Sequence, residues 1–279
     1  MTTVQVDAWD LRHLLLSVDD RPRCPRDGED LDGVLGRAVT ALAGMPPRPP
    51  VVVPQELTGA ALVEAHPLWI FETNAWLLAP DGPGGDCLVV DVPPGPGPLV
   101  ERIRQLGLCP VAVVVTHGHL DHAGGAGALL EELPVPVPVY VAPGDLDGVV
   151  HPTVDGLLAR VAPDVRPPPA GAVLPLHDGA ALTVGGLTVR AIHVPGHTAG
   201  STCLLVEGGP HPLLFSGDAL FAGGTGRCDQ RGSSRSTANA SLRATLGRLA
   251  DDTVVLPGHG AITTIGRERG HHVDLAHER

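Results

Sequence analysis

A run of five apolar residues, Val111-Ala112-Val113-Val114-Val115, ends abruptly in Thr116-His117-Gly118-His119-Leu120-Asp121-His122. The apolar run has the composition of a strand buried on both faces. The run after it places three imidazoles and a carboxylate within six positions, and Gly124 and Gly125 follow directly. So dense a polar set cannot all point into a core, because each unpaired group would lose its water. Imidazole and carboxylate are ligands suited to zinc, and to iron or manganese as the oxygen content rises. Three further apolar stretches close in the same way. Leu187 to Val194 leads into Pro195-Gly196-His197-Thr198-Ala199-Gly200-Ser201, Leu213 to Gly217 into Asp218, and Val254 to Gly258 into His259. Strand ends on a rigid scaffold are where functional groups are held. Four separate strand ends thus each close on a His or Asp.

In order and context these segments resemble the metallo-β-lactamase superfamily. The HxHxDH run, the GHTxGS segment, the SGDxLF segment and the PGHG segment all match, over about residues 65 to 270. The resemblance implies an α/β fold, an αββα sandwich of two face-to-face sheets with helices outside. Residues 1–60 would be an N-terminal helical extension and Pro-rich linker, and residues 61–279 the catalytic domain. The resemblance also implies a ligand set. His117, His119 and His197 would bind a first metal, Asp121, His122 and His259 a second, and Asp218 would bridge them. The cofactors expected are two divalent ions, zinc first, with iron or manganese also suited. Such a pair acidifies a water and polarises a substrate carbonyl, with Asp121 as the catalytic residue that ligates and orients the hydroxide. No serine elbow of G-x-S-x-G form occurs in the chain.

His122 directly after Asp121 is similar to glyoxalase II-like thioesterases, ribonuclease Z-like nucleases and lactonases rather than to β-lactamases proper. Phe215 to Arg227 resembles the glyoxalase II stretch around the bridging Asp. Pro257 to Arg269 resembles the ending of short bacterial glyoxalase II-like hydrolases. The implied activity is attack by a metal-bound hydroxide on a thioester or related acyl ester, either a small molecule or carrier-bound. Arg227 matches a substrate-binding basic residue. Just beyond it the chain departs from the glyoxalase pattern. Cys228-Asp229-Gln230 stands where aromatics and an acidic-Gly pair are expected, which disfavours glutathione as the thiol. Gly226 to Gln230 is partly similar to mononuclear iron persulfide dioxygenases, in which His117, His197 and Asp218 would form a facial triad. That activity is the alternative, along with a repurposed biosynthetic member of the superfamily.

Composition narrows the partners. A net charge of −12 gives no general basic face for nucleic acid, although Arg227, Arg231 and Arg235 form a local cluster. All nineteen basic residues are Arg, so no Lys is available as a general base or Schiff-base former. Five widely spaced cysteines do not form a disulfide framework. Cys87, Cys109 and Cys203 read as buried packing residues, Cys24 as incidental, and Cys228 falls beside the expected site. The start, Met1 to Asp10, lacks the basic and long apolar regions of a signal peptide, and no run is long enough for a membrane span. The expected location is the cytoplasm. With only three Trp, three Phe and one Tyr, a pocket that relies on aromatic stacking is not expected.

Periodicity fills in the elements. Leu11 to Val18 and Val34 to Leu42 have helical spacing. The expected strands include a pair over Trp69 to Leu78 turning near Asn74, Cys87 to Asp91, and Val135 to Val141 at a sheet edge because of its prolines. Strands at short spacing are expected across residues 172 to 218, with turns at Asp178-Gly179 and Gly185-Gly186. Helices are expected over Pro98 to Leu106, Gly124 to Leu133 and part of Leu146 to Val161. Another should run from Ala238 to Ala250 with Thr237 as its N-cap.

Overall fold

The computed structural model describes residues 48–154, 165–230 and 232–272. The first sheet follows chain order: β1 (Val51–Val52), β2 (Leu62–Leu68), β3 (Thr73–Ala79), β4 (Asp86–Val90), β5 (Cys109–Val114), β6 (Val139–Val141) and β7 (Val173–Pro175). Strands β1 to β4 pair antiparallel and β4 to β7 parallel. Short helix α1 (Gln55–Thr58) lies between β1 and β2, α2 (Gly97–Leu106) crosses from β4 to β5, and α3 (Leu120–Ala123), α4 (Ala126–Glu132) and α5 (Leu146–Val150) follow. The second sheet has the order β13-β12-β11-β10-β9-β8. Its strands are β8 (Ala181–Val184), β9 (Leu187–His193), β10 (Thr202–Val206), β11 (Leu213–Gly217), β12 (Val254–Pro257) and β13 (Thr263–Thr264), with β11–β12 its parallel pair. Helices α6 (Arg235–Ala244) and α7 (Ile265–Arg269) complete the described elements.

The period-2 alternation of strand side chains sorts the apolar residues into layers. In β3, Trp76 and Leu78 point between the sheets, while Ala75, Leu77 and Ala79 point to the helix side. The same alternation separates Val114 from Val113 in β5, and Leu204 from Cys203 in β10. The inter-sheet core is centred on Trp76 against Phe215, edge to face at 5.8 Å. Outside the first sheet, Leu99, Val100 and Ile103 of α2 and Leu129 of α4 cover Leu77, Val89 and Val113. Outside the second, Leu242 of α6 and Ile265 of α7 cover Cys203, Leu214 and Val255. The result is the expected αββα sandwich. Both faces of the central strands are covered, which explains why Val111 to Val115 reads as unbroken apolar sequence.

Several local expectations are corrected. Val51 pairs with Ala65, so the first sheet takes in β1 as well as the strands from Leu62 on. The expected helices over Leu11 to Val18 and Val34 to Leu42 lie outside the described residues. The first hairpin turns at Trp69–Glu72, where Trp69 and Glu72 have φ of 60° and 52°. Asn74 lies within β3, where its amide donates to the carbonyls of Pro257 (3.0 Å) and Gly260 (3.1 Å). A residue type common in turns here ties two sheets together. β6 is an internal strand, because β7 pairs on its outer side. Pro134, Pro136 and Pro138 precede its ladder and so remove no hydrogen bond from it. The α6 N-cap is Ser234, whose Oγ accepts from Thr237 N–H at 3.2 Å. Cys87 and Cys203 are buried, but Cys109, at the start of β5, is exposed.

Candidate metal centre

The loops that leave β5, β9, β11 and β12 meet at one edge of the sandwich and bring all seven expected ligand residues together. His117 Nε2, His119 Nδ1 and His197 Nε2 lie 2.9–3.2 Å from one another. His122 Nε2 is 3.3 Å from His259 Nε2 and 3.5 Å from Asp121 Oδ2, and His259 Nε2 is 3.2 Å from that oxygen. Asp218 stands between the two groups. Its Oδ2 is 3.4 Å from His197 Nε2, and its Oδ1 is 3.3 Å from His122 Nε2. Tetrahedral zinc with Zn–N of 2.0–2.1 Å requires ligand nitrogens about 3.3–3.4 Å apart. Both groups are within a few tenths of an ångström of that spacing.

Hydrogen bonds at the far side of each ring fix which nitrogen faces inward. His122 Nδ1 is 2.8 Å from Asp91 Oδ2, His197 Nδ1 is 2.7 Å from the Arg227 carbonyl, and His259 Nδ1 is 3.2 Å from the Phe71 carbonyl. Each ring therefore donates outward and turns its Nε2 toward the cluster. Thr73 Oγ1 donates to Asp121 Oδ2 at 3.1 Å. Gly258 gives the room, since a Cβ there would lie 2.6 Å from both Asp218 Oδ1 and His122 Cε1.

The electrostatics favour a cation. Burial, reinforced by neighbouring imidazoles, holds His117 well below its ordinary range and brings His119 down to about 4, so both are neutral and ready to ligate. Burial disfavours charge on Asp121 and Asp218 too, but the surrounding imidazoles outweigh it and hold both carboxylates ionised. At His122 burial is overcome by Asp121, Asp91 and Asp218, which raise the imidazole well above its usual value. Three carboxylates thus converge on one buried ring. Asp218 Oδ1 is buried without a hydrogen-bond partner, a costly state for a carboxylate oxygen. An orphaned bridging oxygen, an excess of buried negative charge and nitrogen lone pairs at ligand spacing all fit divalent ions.

Comparison with known proteins is decisive at the family level. The model of the metallo-β-lactamase superfamily matches residues 68–259. The chain belongs to the metallo-β-lactamase superfamily. Within this superfamily, hydroxyacylglutathione hydrolase GloC of Haemophilus influenzae is 30% identical over 211 residues, covering 74% of this chain and 94% of that protein. Among solved structures, the BLEG-1 B3 metallo-β-lactamase superposes with a TM-score of 0.64 at 30% identity, covering 76% of this chain and 98% of that one. TTHA1623 in a di-iron-bound form gives 0.63 at 31% identity, covering 75% and 98%. As a member of this superfamily the chain has the fold of metal-dependent hydrolases.

Other expected residues are placed differently. The Arg227 guanidinium makes a two-pronged pair with Asp229, at 2.7 and 3.0 Å, while its carbonyl steadies His197. Arg235 donates to Thr225 Oγ1 at 2.7 Å, and Arg231 lies outside the described residues. Burial raises the Cys228 thiol, which keeps it protonated and a poor nucleophile. Three of the chain's six Phe and Trp residues gather at the rim of the cluster. Trp69 packs edge-on against Phe71 at 4.7 Å, Phe71 supplies the carbonyl that holds His259, and the Phe221 ring lies 5.9 Å from that of His259.

Two buried carboxylates escaped sequence reasoning. Asp91 accepts from Thr116 N–H (2.7 Å) and Thr116 Oγ1 (2.9 Å) besides orienting His122. Its signal was present, because it closes the apolar stretch Leu88-Val89-Val90 as the ligands close theirs. Asp145 follows β6 through Pro143-Gly144, the same Pro-Gly step that precedes His197 and His259, but no matching motif drew notice to it.

Proposed function

We propose that this chain is a metal-dependent hydrolase of a thioester or related acyl ester, working with two divalent ions, zinc first. The observation that carries the reading is Asp218, whose two oxygens face two separate ligand groups. His117, His119 and His197 would hold one ion, and Asp121, His122 and His259 the other. When bound, the ions would supply an acidified water and an electrophile for the acyl oxygen. Asp121, kept ionised and braced by Thr73, orients the attacking group. Asp91 and the carbonyls of Phe71 and Arg227 fix the His122, His259 and His197 rings, which limits their reorganisation. A complete second group weighs against the mononuclear dioxygenase, which would need only His117, His197 and Asp218.

The rim bears on the substrate. Trp69, Phe71 and Phe221 offer an apolar wall beside His259, and Asp229 already neutralises Arg227. This supports an acyl thioester with an apolar arm over one recognised through anionic groups, so the thiol need not be the glutathione of the H. influenzae relative. The test is thiol release from a panel of aliphatic and hydroxyacyl thioesters, with a β-lactam as the competing substrate suggested by BLEG-1. Chelator-sensitive thioester turnover exceeding β-lactam turnover is expected. Turnover of the β-lactam alone would overturn the assignment.

A further inference from the structure

A buried carboxylate outside the proposed ligand set joins the two loops that carry the three-histidine group. Asp145, at the turn after β6, is 8% exposed. Its Oδ2 accepts from Gly118 N–H at 2.8 Å and from Thr198 Oγ1 at 2.6 Å, and its Oδ1 accepts from Gly200 N–H at 2.9 Å. Gly118 lies between His117 and His119, while Thr198 and Gly200 follow His197. The single Thr198 hydroxyl proton goes to Asp145, so the Ser201 hydroxyl must donate to Thr198 Oγ1 (2.8 Å) while accepting from Thr198 N–H (2.9 Å). Each polar residue after His197 in this segment thus has its place in one hydrogen-bonded chain that ends on the carboxylate. The approach is close. A Cβ on Gly118 would lie 3.0 Å from the Asp145 carbonyl oxygen, and one on Gly200 2.6 Å from Asp145 Cγ.

We propose that Asp145 is a positioning residue that fixes the spacing between the His117–His119 loop and the His197 loop, and through it the metal affinity of the three-histidine group. The proposal rests on the reading that these histidines hold an ion. Asp145 touches neither the ligand nitrogens nor the substrate rim. The other group has its own supports in Asp91, Thr73 and the Phe71 carbonyl. Loss of the Asp145 clamp therefore acts on one group and spares the other.

The experiment is titration of metal-stripped full-length protein with Co(II), followed by visible absorption and equilibrium dialysis. Asp145→Asn keeps the size of the side chain but turns one acceptor into a donor facing donors. One cobalt should bind as in the wild type and the other 10- to 100-fold more weakly, the usual effect of losing a partner behind the ligands. The residual spectrum should match that of His119→Ala, which lacks a ligand of the same group. Thr198→Val removes one of the three donors and should give a smaller loss at the same group; it decides the matter should Asp145→Asn not fold. Wild-type affinity for both ions, or an equal fall at both, overturns the clamp. Wild-type protein that binds no cobalt at all would instead remove the metal reading itself.

Discussion

Asp218 is the side chain on which both ligand groups depend, because one oxygen faces each. Asp218→Asn replaces an acceptor with a donor between imidazoles that already present lone pairs. It should abolish most bound metal and most thioester turnover, and elemental analysis beside a thiol-release assay checks both. Asp91 holds His122 directly and, through Thr116, the start of the loop that carries His117. Asp91→Ala frees His122 Nδ1 and should weaken bound metal by roughly 10- to 100-fold, most at the group that contains His122, read by competition with a chromophoric chelator. At this scale the sequence was informative where a polar residue ends an apolar strand inside a matching motif, as His117, Asp218 and His259 do, but not at Asp91, which ends one outside them. It did not single out Asp145, whose partners, two backbone amides and the Thr198 hydroxyl, lie 27 to 55 residues away. Nor could it show that the Arg227 guanidinium would be paired with Asp229, since a bidentate pair across two residues depends on how the loop folds.

Between elements, a buried ion pair joins the first sheet to its covering helix. Glu64 of β2 is fully buried and accepts from Arg102 of α2 at 2.8 and 2.6 Å, with His66 Nε2 at 3.4 Å. Arg102 holds the Glu64 carboxyl below its ordinary value against the opposing effect of burial, and burial lowers His66. Both groups bind protons less readily folded than unfolded, so stability rises with pH. The His66 contribution is lost as pH falls below about 6.5, and that of Glu64 as it falls below about 4.3. The stability advantage of the wild type over a Glu64→Gln, His66→Gln double variant, read from denaturant midpoints, should therefore grow from pH 4 to pH 8. Arg102→Met leaves a buried carboxylate without its cation and should cost about 3 kcal/mol at neutral pH, measured by urea unfolding. The strands themselves were largely readable as short apolar runs, because both faces of the central ones are covered. The errors came where tertiary contacts overrode local preference. Asn74 left its expected turn to bond across the sheets, and β6 became internal once β7 paired beside it.

For the whole molecule, the sandwich brings together strand ends from residues 91 to 259 and leaves a negatively charged, partly orphaned cluster at its edge. Ions bound there stabilise the folded state by mass action, by about 2.7 kcal/mol per site at a free concentration one hundred times the dissociation constant. Chelator-treated protein should melt several degrees lower and recover on adding zinc, which a calorimetric scan will show. The family and the ligand pattern were legible because four motifs recur in fixed order. The apolar rim was not, because Trp69, Phe71 and Phe221 converge only after the first hairpin folds back beside the β11 loop. The proposed hydrolysis depends on two ion sites that share Asp218, and the metal content of protein purified without added metal, determined by elemental analysis, tests them. About two divalent ions per chain are expected, with zinc foremost; a single iron per chain with no second ion would overturn the shared site.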